Sequence, residues 1–265
     1  MKANWKLALM AFATLAFVAC GDPEKDPDPK PDPDPEPEPE FVSPIDIHDN
    51  SLADWDALPA GKVASCTGAA TSQWKALKSM KAYADKMYLN IVVEFDDDLI
   101  ADREWVSFHV YFDADNDVNT GGYSAEWDET GCEFMLEDAV IAEGASHNYN
   151  PAVFQWFGGM GEGIKDLTDP TGWNWTDPNR PNDEADGWGA IVATGALPIS
   201  NSQLIGNKVE IQILRELIPY PFADTFKIGV DIQQNWNSVG VLPNADDDAE
   251  GNHVLAKKLV VTIDK

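Results

Sequence analysis

Residues 105–122 read WVSFHVYFDADNDVNTGG, an alternating run that passes without a break into a burst of acid. Val106, Phe108, Val110 and Phe112 fall on one side; Ser107, His109 and Tyr111 fall on the other. A period of two built from aromatic and β-branched residues predicts a half-buried strand. Asp113, Asp115 and Asp117 then follow at every second position, ahead of Asn119, Gly121 and Gly122. A strand that ends this way presents several carboxylates to one region of space. They repel one another unless a positive charge sits among them, and a hard divalent cation with oxygen ligands, calcium above all, suits that role.

The D-x-D-x-D spacing matches the opening of an EF-hand loop and then departs from it. Val118 stands where that loop needs Gly, and Ser124 where it needs a bidentate Glu. No amphipathic helix precedes it. The expected site is therefore a calcium loop on a β scaffold, with Asp113, Asp115, Asp117 and Asn119 as ligands and any late acid from Glu126 or Asp128.

Similar alternation recurs along the chain: Leu89, Ile91, Val93, Phe95; Val209, Ile211, Ile213; Phe226, Ile228, Val230, Ile232; Leu259, Val261, Ile263. Asp85-Lys86 reads as the tip of a hairpin. About nine strands at fairly even spacing, with no long helix, predict an all-β, antiparallel sandwich of the jelly-roll or immunoglobulin-like kind. One long Gly/Asp/Pro/Trp-rich loop, residues 158–188, is inserted in it. Trp55, Trp74 and Trp105 are assigned to the core.

The sandwich is assigned to residues 41–265, and what precedes it is of another kind. Lys2 and Lys6 lead into an apolar run from Leu7 to Val18, too short to span a bilayer. Residues 1–19 read as a signal peptide. Phe17-Val18-Ala19-Cys20-Gly21 resembles a bacterial lipoprotein cleavage site, which implies that Cys20 becomes a lipidated N-terminus. Residues 22–40, DPEKDPDPKPDPDPEPEPE, alternate acid with proline. Such a segment has nothing to bury and stays extended, so residues 20–40 read as a tether. Acid directly after a lipidated Cys resembles the surface-export signals of Bacteroidetes lipoproteins. That implies a lipid anchor in the outer membrane, facing outward, with a periplasmic face left open.

The tether carries a net −7 and the leader +2, so of the chain's −28 the remaining domain holds −23. Such a surface repels nucleic acid and anionic lipid and suits neutral ligands and divalent cations. Cys66 and Cys132 are either one disulfide or two thiols.

ADWDALP, then KAYADKMYLNIVVEFDDD, then WVSFHVYFDADND, and FKIGVDIQQNW before a last strand, together resemble the family-9 carbohydrate-binding modules and their DOMON-like relatives. The resemblance spans most of residues 45–265 and rests on the Trp55 segment, Tyr88-Leu89 and the Asp113/Asp115 pair. It implies a β-sandwich, structural calcium and saccharide binding on stacked tryptophans. A polysaccharide or oligosaccharide is the expected partner, with membership of a glycan-uptake complex left open.

The residues themselves also favour sugar. Ten tryptophans are present, all but Trp5 in the domain. Trp173 and Trp175 flank Asn174 in a polar, proline-bounded loop that cannot easily bury both rings, and Arg180 lies close by in sequence. Trp236 stands between Asn235 and Asn237 at a strand end. An exposed indole offers a flat apolar face with a donor at its edge, which suits the C–H face of a pyranose. Trp173, Asn174, Trp175, Arg180 and Trp236 are therefore the ligand-binding candidates. Catalysis is not expected: neither H-E-x-x-H nor G-x-S-x-G occurs, and Glu126, Asp128 and Glu133 are the best acids for the competing glycosidase reading. A non-catalytic adhesin is the third reading.

Overall fold

The alternating runs become strands in a computed structural model of the chain. It describes residues 41–59, 61–100, 102–118, 121–122, 124, 126–129, 131–142, 151–156, 188–192, 200–218 and 221–265. The leader, Cys20 and the tether lie outside these residues, as does the inserted loop with Trp173, Asn174, Trp175 and Arg180. The chain divides into two units, Met1–Phe41 and Val42–Lys265, and only the second is described below.

Twelve strands are found among the described residues: β1 (Ala64–Thr67), β2 (Leu77–Ala84), β3 (Tyr88–Phe95), β4 (Val106–Asp113), β5 (Phe134–Asp138), β6 (Ala152–Trp156), β7 (Trp188–Val192), β8 (Ser200–Ile205), β9 (Lys208–Leu214), β10 (Thr225–Gln234), β11 (Asn237–Leu242) and β12 (Leu259–Thr262). All pair antiparallel in two sheets. One has the order β1-β2-β3-β9-β8. The other runs β11-β10-β4-β5-β6-β7, with β12 also on β10. β12 pairs with the first half of β10 and β11 with the second, opposite β4. The fold is an antiparallel β-sandwich.

The core follows from the alternation. Leu89, Ile91, Val93 and Phe95 of β3 and Val209, Ile211 and Ile213 of β9 meet Val106, Phe108, Val110 and Phe112 of β4 and Phe226, Ile228, Val230 and Ile232 of β10. Full burial of one such side chain stabilises by about 1.5–3 kcal/mol, so these four strands dominate the favourable term.

β4 is not half-buried, however; its second face is covered too. The loop before β5 folds back over that face and places Trp127 against Tyr111, Met135, Phe154 and Val241. Trp74 is half-buried at the rim of this cluster, stacked on His253 at 3.8 Å. The outer face of the other sheet is roofed by residues 45–59 and 61–63. There Trp55 packs with Ile45, Tyr83 and Val92, and its Nε1–H donates to Glu210 Oε1 at 2.6 Å. The side chain of Trp105 lies outside the described residues. Cys66 and Cys132 are both free thiols: Cys66 packs on the inter-sheet core and Cys132 under the Trp127 loop.

Candidate functional site

The end of β4 brings three carboxylates together, and they are not quite the expected set. Asp113, Asp115 and Glu133 each offer an oxygen within 4.8 Å of the others, and this cluster could hold a metal ion. Oxygens bound at 2.3–2.6 Å to one cation stand at most about 5 Å apart, so the spacing fits. Glu133 reaches the cluster through sheet pairing. Phe134 of β5 stands opposite Phe112 of β4, and Glu133 donates its backbone N–H to Phe112 O at 2.9 Å. That places it beside Asp113, where its Oε2 accepts from Ala114 N at 2.7 Å.

Of the other expected ligands, Asp117 is exposed outside the cluster, its backbone N–H donating to Asp115 Oδ1 at 2.9 Å. Asn119 lies outside the described residues. Glu126 must be reassigned, because its carboxylate is engaged elsewhere, by the hydroxyls of Ser124 and Ser238.

The donor set suits a cation on its own chemistry. Both carboxylate oxygens of Asp113 are buried and accept no hydrogen bond. Lys227 Nζ lies 3.2 Å from one of them as an ion pair, and 3.7 Å from Glu129. Burial raises the Asp113 carboxyl above its ordinary pKa, against the pull of Lys227. At an effective dielectric of 20, each pair of charges at this separation repels by about 3 kcal/mol. Three such pairs exceed what the Lys227 contact returns, and Lys258 adds only a weaker pull. The backbone is shaped to the cluster as well. Gly131 has φ +92°, and a Cβ there would stand 3.3 Å from Asp113 Oδ2 and 3.0 Å from Asp117 O.

A second polar network lies on the same face of β4. The buried His109 ring contacts Asp231 Oδ1 through Nδ1 at 2.6 Å and Glu137 Oε2 through Nε2 at 3.0 Å. Asp231 Oδ2 also accepts from Gln233 Nε2 and from Ser238 Oγ, both at 3.0 Å. Ser238 Oγ lies 3.1 Å from Glu126 Oε1. Burial opposes a charge on His109, but Asp231 and Glu137 outweigh it and push the imidazole pKa up to about 10. Burial also raises the Glu126 carboxyl. The network ties the loop carrying Ser124 and Glu126 to β10 and β11. His109, on the face of the strand that the alternation leaves outside the core, is a buried ion-pairing residue. An acid opposite it on each neighbouring strand was the missing signal.

Trp236 sits at the far end of β10. Gln234 pairs with Asn237, leaving Asn235 and Trp236 as a two-residue hairpin loop. Both have positive φ, +50° and +65°, as a type I′ turn requires. The favoured residue at the second position is Gly; here it is a tryptophan that is 82% exposed. From Lys227, opposite Asp113, to Gln234 is seven steps along β10, about 24 Å, so indole and acid cluster occupy opposite ends of the strand.

Comparison with protein-family models, with characterised proteins and with solved structures returns no match to this chain.

Proposed function

We propose that this chain is a non-catalytic saccharide-binding protein, anchored through lipidated Cys20 and an extended tether to the outer membrane, its sandwich stabilised by calcium. The observation that carries the reading is Trp236. A large apolar ring held in water, on a backbone conformation that costs a non-glycine residue roughly 1–2 kcal/mol, is kept for something it touches. Its two asparagine neighbours supply amide donors and acceptors beside a flat apolar face, the combination a pyranose needs. Calcium is favoured over magnesium for the Asp113, Asp115 and Glu133 cluster because it tolerates irregular carboxylate geometry, whereas magnesium demands a near-ideal octahedron and keeps its waters. Of the acids that would serve a glycosidase, Glu126 and Glu133 are buried and Glu126 is held by Ser124 and Ser238, which supports binding over catalysis.

A glycan array probed with the calcium-loaded protein tests this. Binding to a defined saccharide, lost in Trp236→Ala while the melting temperature holds, is the expected result. A folded, calcium-loaded protein that binds no glycan on the array overturns the proposal, and release of reducing sugar would turn it into the glycosidase reading.

A further inference from the structure

The chain carries 46 acids against 18 bases, so a cation that makes no ion-pair contact among the described residues stands out. Arg215, directly after β9, is one. Its Nη2 donates to two backbone carbonyls of the β2–β3 hairpin, Asp85 O at 2.5 Å and Lys86 O at 2.8 Å. Its backbone N–H donates to Met87 O at 3.0 Å. Its guanidinium lies over the ring of Phe222, Cζ 5.8 Å from the centroid. The neighbouring Asp85 carboxylate attracts it through space but makes no ion-pair contact: Oδ1 accepts from the backbone of Met87 and Tyr88, and Oδ2 from Ser43. Nε is buried without a partner. Two carbonyls and an aromatic face thus fix the plane of the guanidinium, and Nη1 donates no hydrogen bond among the described residues.

This side chain lines a cavity of about 370 Å³ together with Lys86, Met87, Glu216, Ile218, Pro221 and Phe222. Lys86 is exposed and makes no ion pair among the described residues either. The volume is that of a small-ligand pocket. The walls are apolar and aromatic on one side; on the other stand two cations, Lys86 and Arg215, with one exposed acid, Glu216. A pinned guanidinium loses little entropy on engaging an anion, which is the condition under which arginine recognises carboxylates best.

We propose that this cavity binds a carboxylate-bearing sugar ring, a pyranuronate, with Arg215 Nη1 and Lys86 Nζ on the carboxylate and Phe222 and Pro221 against the ring. The site is independent of Trp236. Phe222 precedes β10 and Trp236 follows it, so the two lie at opposite ends of a ten-residue strand.

The test is a two-dimensional NMR titration of the full chain with galacturonate, with galactose and with inorganic phosphate. Galacturonate is expected to saturate shifts at Met87, Arg215 and Phe222, with galactose at least tenfold weaker. Lys86→Gln, on the exposed hairpin, is expected to weaken galacturonate several-fold. Arg215→Gln is expected to weaken it tenfold or more, the usual worth of a charge-assisted hydrogen bond. Should Arg215→Gln unfold, because Arg215 also ties the hairpin, Lys86→Gln decides alone. Trp236→Ala is expected to leave these shifts unchanged, so failure here and failure of the hairpin reading are separable. No shift with galacturonate, an unchanged affinity in Lys86→Gln, or phosphate binding as tightly as galacturonate each overturns the proposal.

Discussion

The indole of Trp127 occupies the space that a side chain on Gly229 would need. A Cβ built there would stand 2.4–2.7 Å from three atoms of the ring. Gly229 is therefore a seat in β10 for the residue that closes the second face of the sheet, and Trp127 Nε1–H fixes the seat by donating to Pro243 O at 3.0 Å. Gly229→Ala is expected to cost about 2 kcal/mol, or roughly 4–8 °C in Tm for a domain of this size. In a Trp127→Ala background, itself about 3–5 kcal/mol destabilised, the same change should cost almost nothing. Additive losses in thermal melts of the single and double variants would show that ring and glycine do not compete for space.

This seat marks where the sequence stopped being legible. The inter-sheet core could be read almost residue by residue, because burial between two sheets imposes a strict period of two. Val106, Phe108, Val110 and Phe112 point inward as the alternation required. The strands that escaped reading were β1, β8 and β11. All three are edge strands, and their segments ASCT, SNSQLI and NSVGVL carry too little apolar pattern to announce themselves. The covering of the second face was not legible either, since nothing local in EWDETGCE says that its Trp lands on a glycine about a hundred residues later. Two of the three acids in the cluster were legible, and the third was not, for the same reason. Asp113 and Asp115 lie on one strand end, whereas Glu133 arrives by register across two strands.

The cation cluster makes a prediction whose sign depends on the ion. Without it, Asp113→Asn removes repulsion from Asp115 and Glu133, so in chelator the variant should equal or exceed the parent in stability. With calcium at a hundred times its Kd, the parent should gain about 2.7 kcal/mol by mass action, and the variant little of it. The melting temperatures should therefore cross as calcium is added. Parallel curves would remove the ion from this site.

The His109 network gives the pH dependence. Its imidazole pKa rises from 6.5 to about 10 on folding. A group raised in this way stabilises fully below its unfolded value, and the contribution is lost as pH climbs through the folded one. Stability should fall between pH 7 and pH 10. Glu126, raised by burial, acts in the same direction at lower pH, because the fold must ionise it among acids. Urea midpoints at pH 6, 8 and 10 measure this. His109→Gln should be less stable at pH 6 and show a flatter profile, and a wild-type profile that rises toward pH 10 contradicts the ion-pair assignment.

The hairpin at Trp236 separates stability from function. A type I′ turn takes Asn-Gly by preference, because both central residues need positive φ and only glycine adopts it without steric cost. Asn235 already fits; Trp236 at φ +65° does not. Trp236→Gly should therefore stabilise the fold by roughly 1 kcal/mol, since it relieves the backbone and the 82% exposed ring gives up little packing. If the ring is held there for a ligand, the same substitution should abolish saccharide retention on an affinity gel. A gain in unfolding midpoint together with a loss of retention is the expected pair. A variant that is both stabler and fully retentive would mean that the tryptophan is incidental and that the saccharide is bound by another surface.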